Sequence, residues 1–489
     1  MPPRTLFRSR LSDWSRRHPA LLATLLLWAI YCFYAYTNNY KEFYWDSYTY
    51  WKIAQDYWSQ GKFNFLLFNH SLRGYLFPLL ISPLVLMTER YAVLPIDLYR
   101  AIGAGMAAVT FGAVVPGLWQ AVQWNAPQAP VTLARRLLLG ALGFIFWRGY
   151  FHFPLTDFPA LLMLGGGVWA LLRGRSVGAG LLAGVLVAAG ANFRPVYAAA
   201  LPLAGLLCLW PRPATPSEAP QLAVEWLHRL AFVAGLALVM WPQSVLNRVH
   251  FGVNSPFVLT TPPNVPSLYL LQLQWGLQYK KYETNVGSDY ASPQMYFVDP
   301  RGQELWERAG ISEFKSYDQY GQLFLANPLN IVRIWASHLF NGLDIQYPTP
   351  YIQQVYVPSW GMAWLNYTLI FSSLWVLVVR RSSWFIKTNL RLAVVLLALL
   401  GPCAATLPVA MECRFLLPVH LLLYAVFAFT IKPVHAWRTS SVRQRAWTGL
   451  LYAGFVSAFF SLSINTQSRL ALGPREVFTW KQNHDGEPW

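Results

Sequence analysis

Long apolar runs separated by short polar connections recur from residue 19 to residue 464. A helix needs about 20 apolar residues to cross the hydrocarbon core of a bilayer. Runs of that kind fall near 19–37, 98–121, 137–152, 158–172, 177–191, 196–210, 229–246, 360–379, 392–410, 415–430 and 447–464. The pattern predicts an all-α integral membrane protein of about eleven transmembrane helices. The apolar piece 74–88 is broken by Pro78 and Pro83 and flanked by Arg73, Glu89 and Arg90, so it reads as a surface or re-entrant helix. Two long polar stretches remain, 38–95 and 247–358. In the second, Leu323, Phe324, Ile331, Ile334, Trp335, Leu339 and Phe340 recur at near-helical spacing and predict one amphipathic juxtamembrane helix over 321–343. The first holds Tyr44-Trp45-Asp46-Ser47-Tyr48-Thr49-Tyr50-Trp51, which suits an interfacial helix over 48–60 capped by Asp46 or Ser47.

Charge orients these elements. The chain of 489 residues is 55% hydrophobic and only 12% charged, yet its net charge is +17. The basic residues collect between alternate runs: Arg4 to Arg17, Arg135 and Arg136, Arg173 and Arg175, Arg212 and Arg229, Arg380 to Arg391, and Lys432 to Arg445. This is the positive-inside pattern, and it accounts for the excess charge with no nucleic-acid partner. It predicts a cytoplasmic N-terminus over 1–18, a single polytopic domain over 19–464 with 38–95 and 247–358 outside, and an extracytoplasmic tail over 465–489. Counting 74–88 as a span would put Arg135 and Arg136 outside. The first run is longer than a signal-peptide core and has no small-x-small cleavage site, which predicts an uncleaved anchor in a multi-pass protein of a cell membrane such as a bacterial inner membrane. Cys32, Cys208, Cys403 and Cys413 lack paired spacing, and His152, His250 and His338 are scattered. No metal site or cofactor is indicated, although a divalent metal stays open.

Apart from His420, the ionisable residues near the runs gather at one surface: Asp46, Arg148, His152, Asp157, Arg194, Glu412 and Arg414 all fall at expected outer ends or loops. An ion-coupled transporter would instead place charges near the bilayer midplane. Each residue also has a plainer reading. Thr156 or Asp157 suits a helix cap ahead of Pro159, Arg194 a snorkelling anchor, and Glu412 with Arg414 a surface ion pair. Arg148 lies deeper and calls for an anionic partner, either Asp157 or a ligand phosphate. His70 and Arg73 suit a lipid phosphate or a solvated loop, and Lys280 with Lys281 reads as a solvated face.

The order of these pieces resembles the GT-C superfamily of integral-membrane glycosyltransferases. The likeness is to the branch holding the dolichyl-phosphate-mannose protein mannosyltransferases and the lipid A aminoarabinose transferases. It is carried by Asp46 in the first outer loop, Pro78-Leu79-Leu80, Thr156-Asp157-Phe158-Pro159, Arg194-Pro195 and Arg414-Phe415-Leu416-Leu417-Pro418, over about residues 19–430. The chain departs from that branch in reading Asp46-Ser47 for an adjacent Asp-Glu, Arg414-Phe415-Leu416 for Arg-Tyr-Leu, and in having no appended soluble domain after the last run. The resemblance implies that Asp46 is the catalytic base or holds the acceptor, and that Asp157 helps form the same pocket.

Transfer from a polyprenyl-phosphate sugar expels a phosphate monoester anion, so no strong general acid is needed. The site must supply a base for the acceptor hydroxyl and cations for the departing phosphate. Asp46 suits the first task. Arg194 and Arg414 suit the second, with Arg148, Arg73, His70 and Glu412 as further substrate-binding candidates. Lacking a second carboxylate placed as a nucleophile, single displacement with inversion is expected. The acceptor is a glycan, lipid or protein, and membrane lipid surrounds the donor tail. A lipid-linked sugar flippase or transporter, or a non-catalytic envelope assembly protein, stands as the alternative.

Overall fold

A helix forms at each of the apolar runs in the computed structural model, which describes residues 17–122, 130–210, 222–261, 267–290, 292–357, 359–379, 390–431 and 441–471. Arg4 to Arg16, Arg212, Arg380, Arg381, Lys387, Lys432, Arg438 and most of the expected tail lie outside the described residues. In chain order the helices are α1 (Pro19–Thr37), α2 (Trp45–Asp56), α3 (Leu76–Tyr91), α4 (Pro95–Val122), α5 (Leu133–Trp147), α6 (Asp157–Arg173), α7 (Val177–Phe193), α8 (Leu201–Leu209) and α9 (Leu222–Phe251). There follow α10 (Leu268–Gln278), α11 (Pro300–Ala309), α12 (Tyr317–Ala326), α13 (Pro328–Leu343), α14 (Trp360–Val379), α15 (Leu390–Thr406), α16 (Leu417–Thr430) and α17 (Val442–Gln467). Six of the described helices are long and apolar enough to cross a membrane: α1, α4, α9, α14, α16 with its preceding turn from Cys413, and α17. This is a mainly helical membrane protein.

Close backbone packing joins the bundle. At Gly184 of α7 a Cβ would collide with the Phe232 carbonyl of α9, so only glycine lets these two helices approach this closely. α4 widens to a π-turn over Thr110–Val114 just before Pro116. Proline has no N–H to give the Gly112 carbonyl, and the buried Arg136 guanidinium donates to that carbonyl instead at 2.6 Å. Arg136 is thus a structural group as well as a member of a basic cluster. In α3, Pro83 leaves the Leu79 carbonyl free in the same way, and the Ser82 hydroxyl takes it at 2.9 Å.

The connecting segments depart from expectation in three places. The helix expected over 48–60 starts earlier, at Trp45, and ends at Asp56, where the chain turns through a hairpin of β1 (Trp58–Ser59) and β2 (Lys62–Phe63). Gln60 and Gly61 make that turn with φ of 51° and 76°, the left-handed pair that a two-residue hairpin requires. The single helix expected over 321–343 is two helices, α12 and α13. Pro328 opens the second, and Asn327 before it leaves helical geometry with φ −135° and ψ 49°. Finally, the segment 279–352 is not wholly helical. It holds a sheet of order β4-β3-β5, in which β3 (Tyr279–Asn285) pairs antiparallel with β4 (Gln294–Val298) and parallel with β5 (Tyr351–Ile352).

Candidate functional site

Five separate stretches of chain converge: the start of α2, the loop before α3, the start of α6, the end of α7 and the turn before α16. On α2, Tyr44 is the N-cap, and the Ser47 hydroxyl reaches back to accept from the Tyr44 N–H at 3.0 Å. Asp46 therefore does not cap this helix, and its carboxylate is left for other partners. Arg73 arrives on the loop before α3. Gly74 lies so close to the Asn192 carbonyl that no Cβ fits, and the Asn192 side chain accepts from the Leu76 N–H at 3.0 Å. These contacts fasten the Arg73 loop to the end of α7, just before Arg194.

Asp157 is the first residue of α6, where the helix dipole favours an anion. It also ion-pairs with Arg194, and its second oxygen lies 3.7 Å from Arg414. Arg414 reaches all three carboxylates of the site. It binds Glu412 through a two-nitrogen fork, one arm at 2.9 Å, and extends to Asp46 at 3.3 Å. Arg73 closes the chain on Asp46 at 2.5 Å, with its guanidinium over the Tyr50 ring. Three carboxylates thus face three guanidiniums, and the charges balance. The members differ in access. Asp46 is 34% exposed, against 2% for Asp157 and 6% for Glu412, which makes Asp46 the carboxylate a substrate can reach.

Electrostatics follow from this packing. Partial burial pushes the Asp46 pKa up, but the Arg73 and Arg414 guanidiniums outweigh it and hold the carboxyl below its ordinary range. Asp46 is therefore ionised at neutral pH. Burial, helped by the Arg73 charge, lowers His70 to about 4, so His70 is a neutral imidazole there.

The sheet supplies a second layer. The Tyr282 N–H donates to the Met411 carbonyl at 3.1 Å, laying β3 alongside the Glu412 stretch, and burial beside the Glu412 carboxylate pushes the Tyr282 phenol well above its ordinary range. Lys281 does not belong to a solvated face: it is fully buried and paired with buried Glu283 at 2.9 Å. The alternation of Tyr279, Lys281, Glu283 and Asn285 in β3 turns all four to one buried face. Burial raises the Glu283 carboxyl, and Lys281 opposes that rise.

Arg148 stands apart. Its guanidinium donates to the Ile145 carbonyl at 2.6 Å and lies over the Tyr34 ring. The partnership expected with Asp157 does not form, because Arg194 and Arg414 occupy that carboxylate. His250 and His338 bond to backbone carbonyls, and His152 is buried against Tyr34 and Tyr40. Among the described residues, no three His, Cys, Asp or Glu side chains are grouped to hold a metal ion. Tyr282 and Tyr351 are not among the residues expected from the sequence, because their nearness to Asp46 depends on pairing across the sheet. Neither Tyr279–Asn285 nor Tyr351–Ile352 carries an apolar–polar alternation that would mark it as a strand in the sequence. Comparison of the chain with protein-family models and with curated proteins finds no match in either.

Proposed function

We propose that this protein is a membrane glycosyltransferase that moves a sugar from a polyprenyl-phosphate donor to a hydroxyl acceptor on the extracytoplasmic side, with about eleven helices crossing the bilayer. The observation that carries the reading is the cluster itself: one accessible, ionised carboxylate between two arginines, at helix ends, with further acids and arginines behind it. Asp46 accepts the proton of the acceptor hydroxyl as that oxygen attacks the anomeric carbon. The bond from that carbon to the phosphate oxygen breaks, and polyprenyl phosphate leaves with the bonding electrons. Arg73 and Arg414 are the cations nearest to this carboxylate and take up the phosphate charge that develops. Asp157 and Glu412 hold Arg194 and Arg414 in place. The donor tail lies against apolar helices, and the segment 247–358 faces the acceptor.

The test is release of polyprenyl phosphate and transfer of radiolabelled sugar by the purified protein in lipid. With Asp46 already below its ordinary range, kcat/KM should show no Asp46-dependent loss as pH falls from 7 to 5; the loss should come only below the ordinary value of about 4. No transfer from any polyprenyl-phosphate sugar would sink the reading. A loss near pH 6 that disappears in Asp46→Asn would sink the assigned ionisation.

Sidedness is tested by cysteine labelling at exposed positions. Ser47 is buried and unsuited, whereas Tyr48, Val177 and Ser288 are exposed. An impermeant thiol reagent added outside should label Tyr48→Cys and Ser288→Cys but not Val177→Cys. The reverse set would invert the topology.

A further inference from the structure

The sheet reaches the site twice. β3 brings Tyr282 to Glu412, and β5, beside it in register Thr284 to Tyr351, brings Tyr351 to the turn carrying Asp46. The Tyr351 hydroxyl donates to the Tyr44 carbonyl at 2.6 Å and accepts from the Ser47 N–H at 3.2 Å. One oxygen thereby brackets Trp45 and Asp46 from both sides. Trp45 has φ +44°, a left-handed conformation that an L-residue with a bulky side chain keeps only when its surroundings hold it. Tyr351 is itself well held. It is 3% exposed, its ring meets Phe153 edge-on at 4.7 Å, and its carbonyl accepts from the Tyr40 hydroxyl at 2.9 Å.

We propose that Tyr351 is the positioning residue for Asp46: its hydroxyl fixes the strained turn 44–47, so the sheet of segment 279–352 governs whether the carboxylate is set for proton transfer. The proposal rests on the glycosyl-transfer reading for its catalytic consequence alone. Segment 247–358, which would meet the acceptor, then also acts on the base, and order in one becomes order in the other.

Tyr351→Phe keeps the ring packing and removes only the hydroxyl. Hydrogen exchange of peptides covering residues 44–50, in protein held in lipid, should quicken about tenfold. In the transfer assay kcat should fall about tenfold, while donor KM changes less than about twofold. Tyr347→Phe is the control. It removes a hydroxyl from the same segment, one bonded to the Val355 carbonyl at 2.8 Å, and should alter neither readout. Unchanged exchange in Tyr351→Phe overturns the proposal, as does faster exchange with unchanged kcat or an equal loss in Tyr347→Phe. If the wild-type protein transfers no sugar, the glycosyl-transfer reading fails, and the exchange comparison still decides the pinning.

Discussion

Asp46→Asn should lower turnover at least about a hundredfold while leaving the protein folded and donor bound. Asparagine keeps the size of the side chain and can still accept a hydrogen bond from Arg73 or Arg414. It cannot take a proton at neutral pH, so the acceptor hydroxyl would lose its base. A plainer role for Asp46 predicts the opposite, because Asn serves as a helix cap about as well as Asp. The geometry weighs against that role, since Tyr44 is the N-cap and the Ser47 hydroxyl reaches back to it. The measurement is sugar transfer from a radiolabelled polyprenyl-phosphate donor in membranes with matched protein levels. Asp157→Asn is the informative companion. Its carboxylate is almost fully buried and paired with Arg194, so its loss should act mainly through stability and the setting of Arg414. Wild-type turnover in Asp46→Asn together with a dead Asp157→Asn would move the base to Asp157.

Arg414 should be the least replaceable cation. It contacts Asp46, Asp157 and Glu412, and two of these carboxylates are buried. Arg414→Ala leaves buried Glu412 without its guanidinium, while Asp157 keeps Arg194; breaking such a buried pair typically costs about 3–5 kcal/mol of stability. A lower thermal midpoint, with loss of folded protein in detergent, would register it. Arg414→Lys tests function more gently, because it keeps the charge but loses the two-nitrogen fork on Glu412 and the reach to Asp46. Donor affinity should weaken by about 1–3 kcal/mol, roughly five- to 150-fold. A titration with polyprenyl-phosphate sugar gives that number directly. If Arg414→Lys binds donor as tightly as wild type, Arg414 is a structural clasp for the carboxylates and Arg73 becomes the phosphate ligand to test.

These expectations follow from how the site is assembled. Arg194 and Arg414 stand out in the sequence because arginine is otherwise rare at one end of the runs. In the structure both are already engaged by carboxylates, so a phosphate entering the site must share or displace an existing partner. Asp46 and Arg73, the more open pair, are the part of the network most able to give way.

Local pattern by itself was enough to determine the helical membrane character, the place of each apolar helix, and the acidic and basic residues worth watching. Twenty-residue apolar periodicity and the distribution of arginines are properties of the chain, set by the cost of exposing polar backbone or charge to hydrocarbon. The break at Pro328 was also present in the sequence. In the sequence it is masked by a helical apolar stripe that continues on both sides of it. Pairing needed the tertiary structure. Asp157 meets Arg194 because α6 and α7, 17 residues each and joined by a short turn, pack as an antiparallel hairpin; that Arg148 turns to the Ile145 carbonyl instead is recorded by no spacing along the chain. Lys281 is buried because β3 is covered, and Tyr351 reaches Asp46 because a parallel strand sits beside β3. Ion pairs and hydrogen bonds act over a few ångströms in space, while periodicity speaks only for neighbours in sequence. The six charged residues of the cluster were therefore legible from the chain, whereas their partners, the exclusion of Arg148 and the approach of Tyr282 and Tyr351 were decided by the fold.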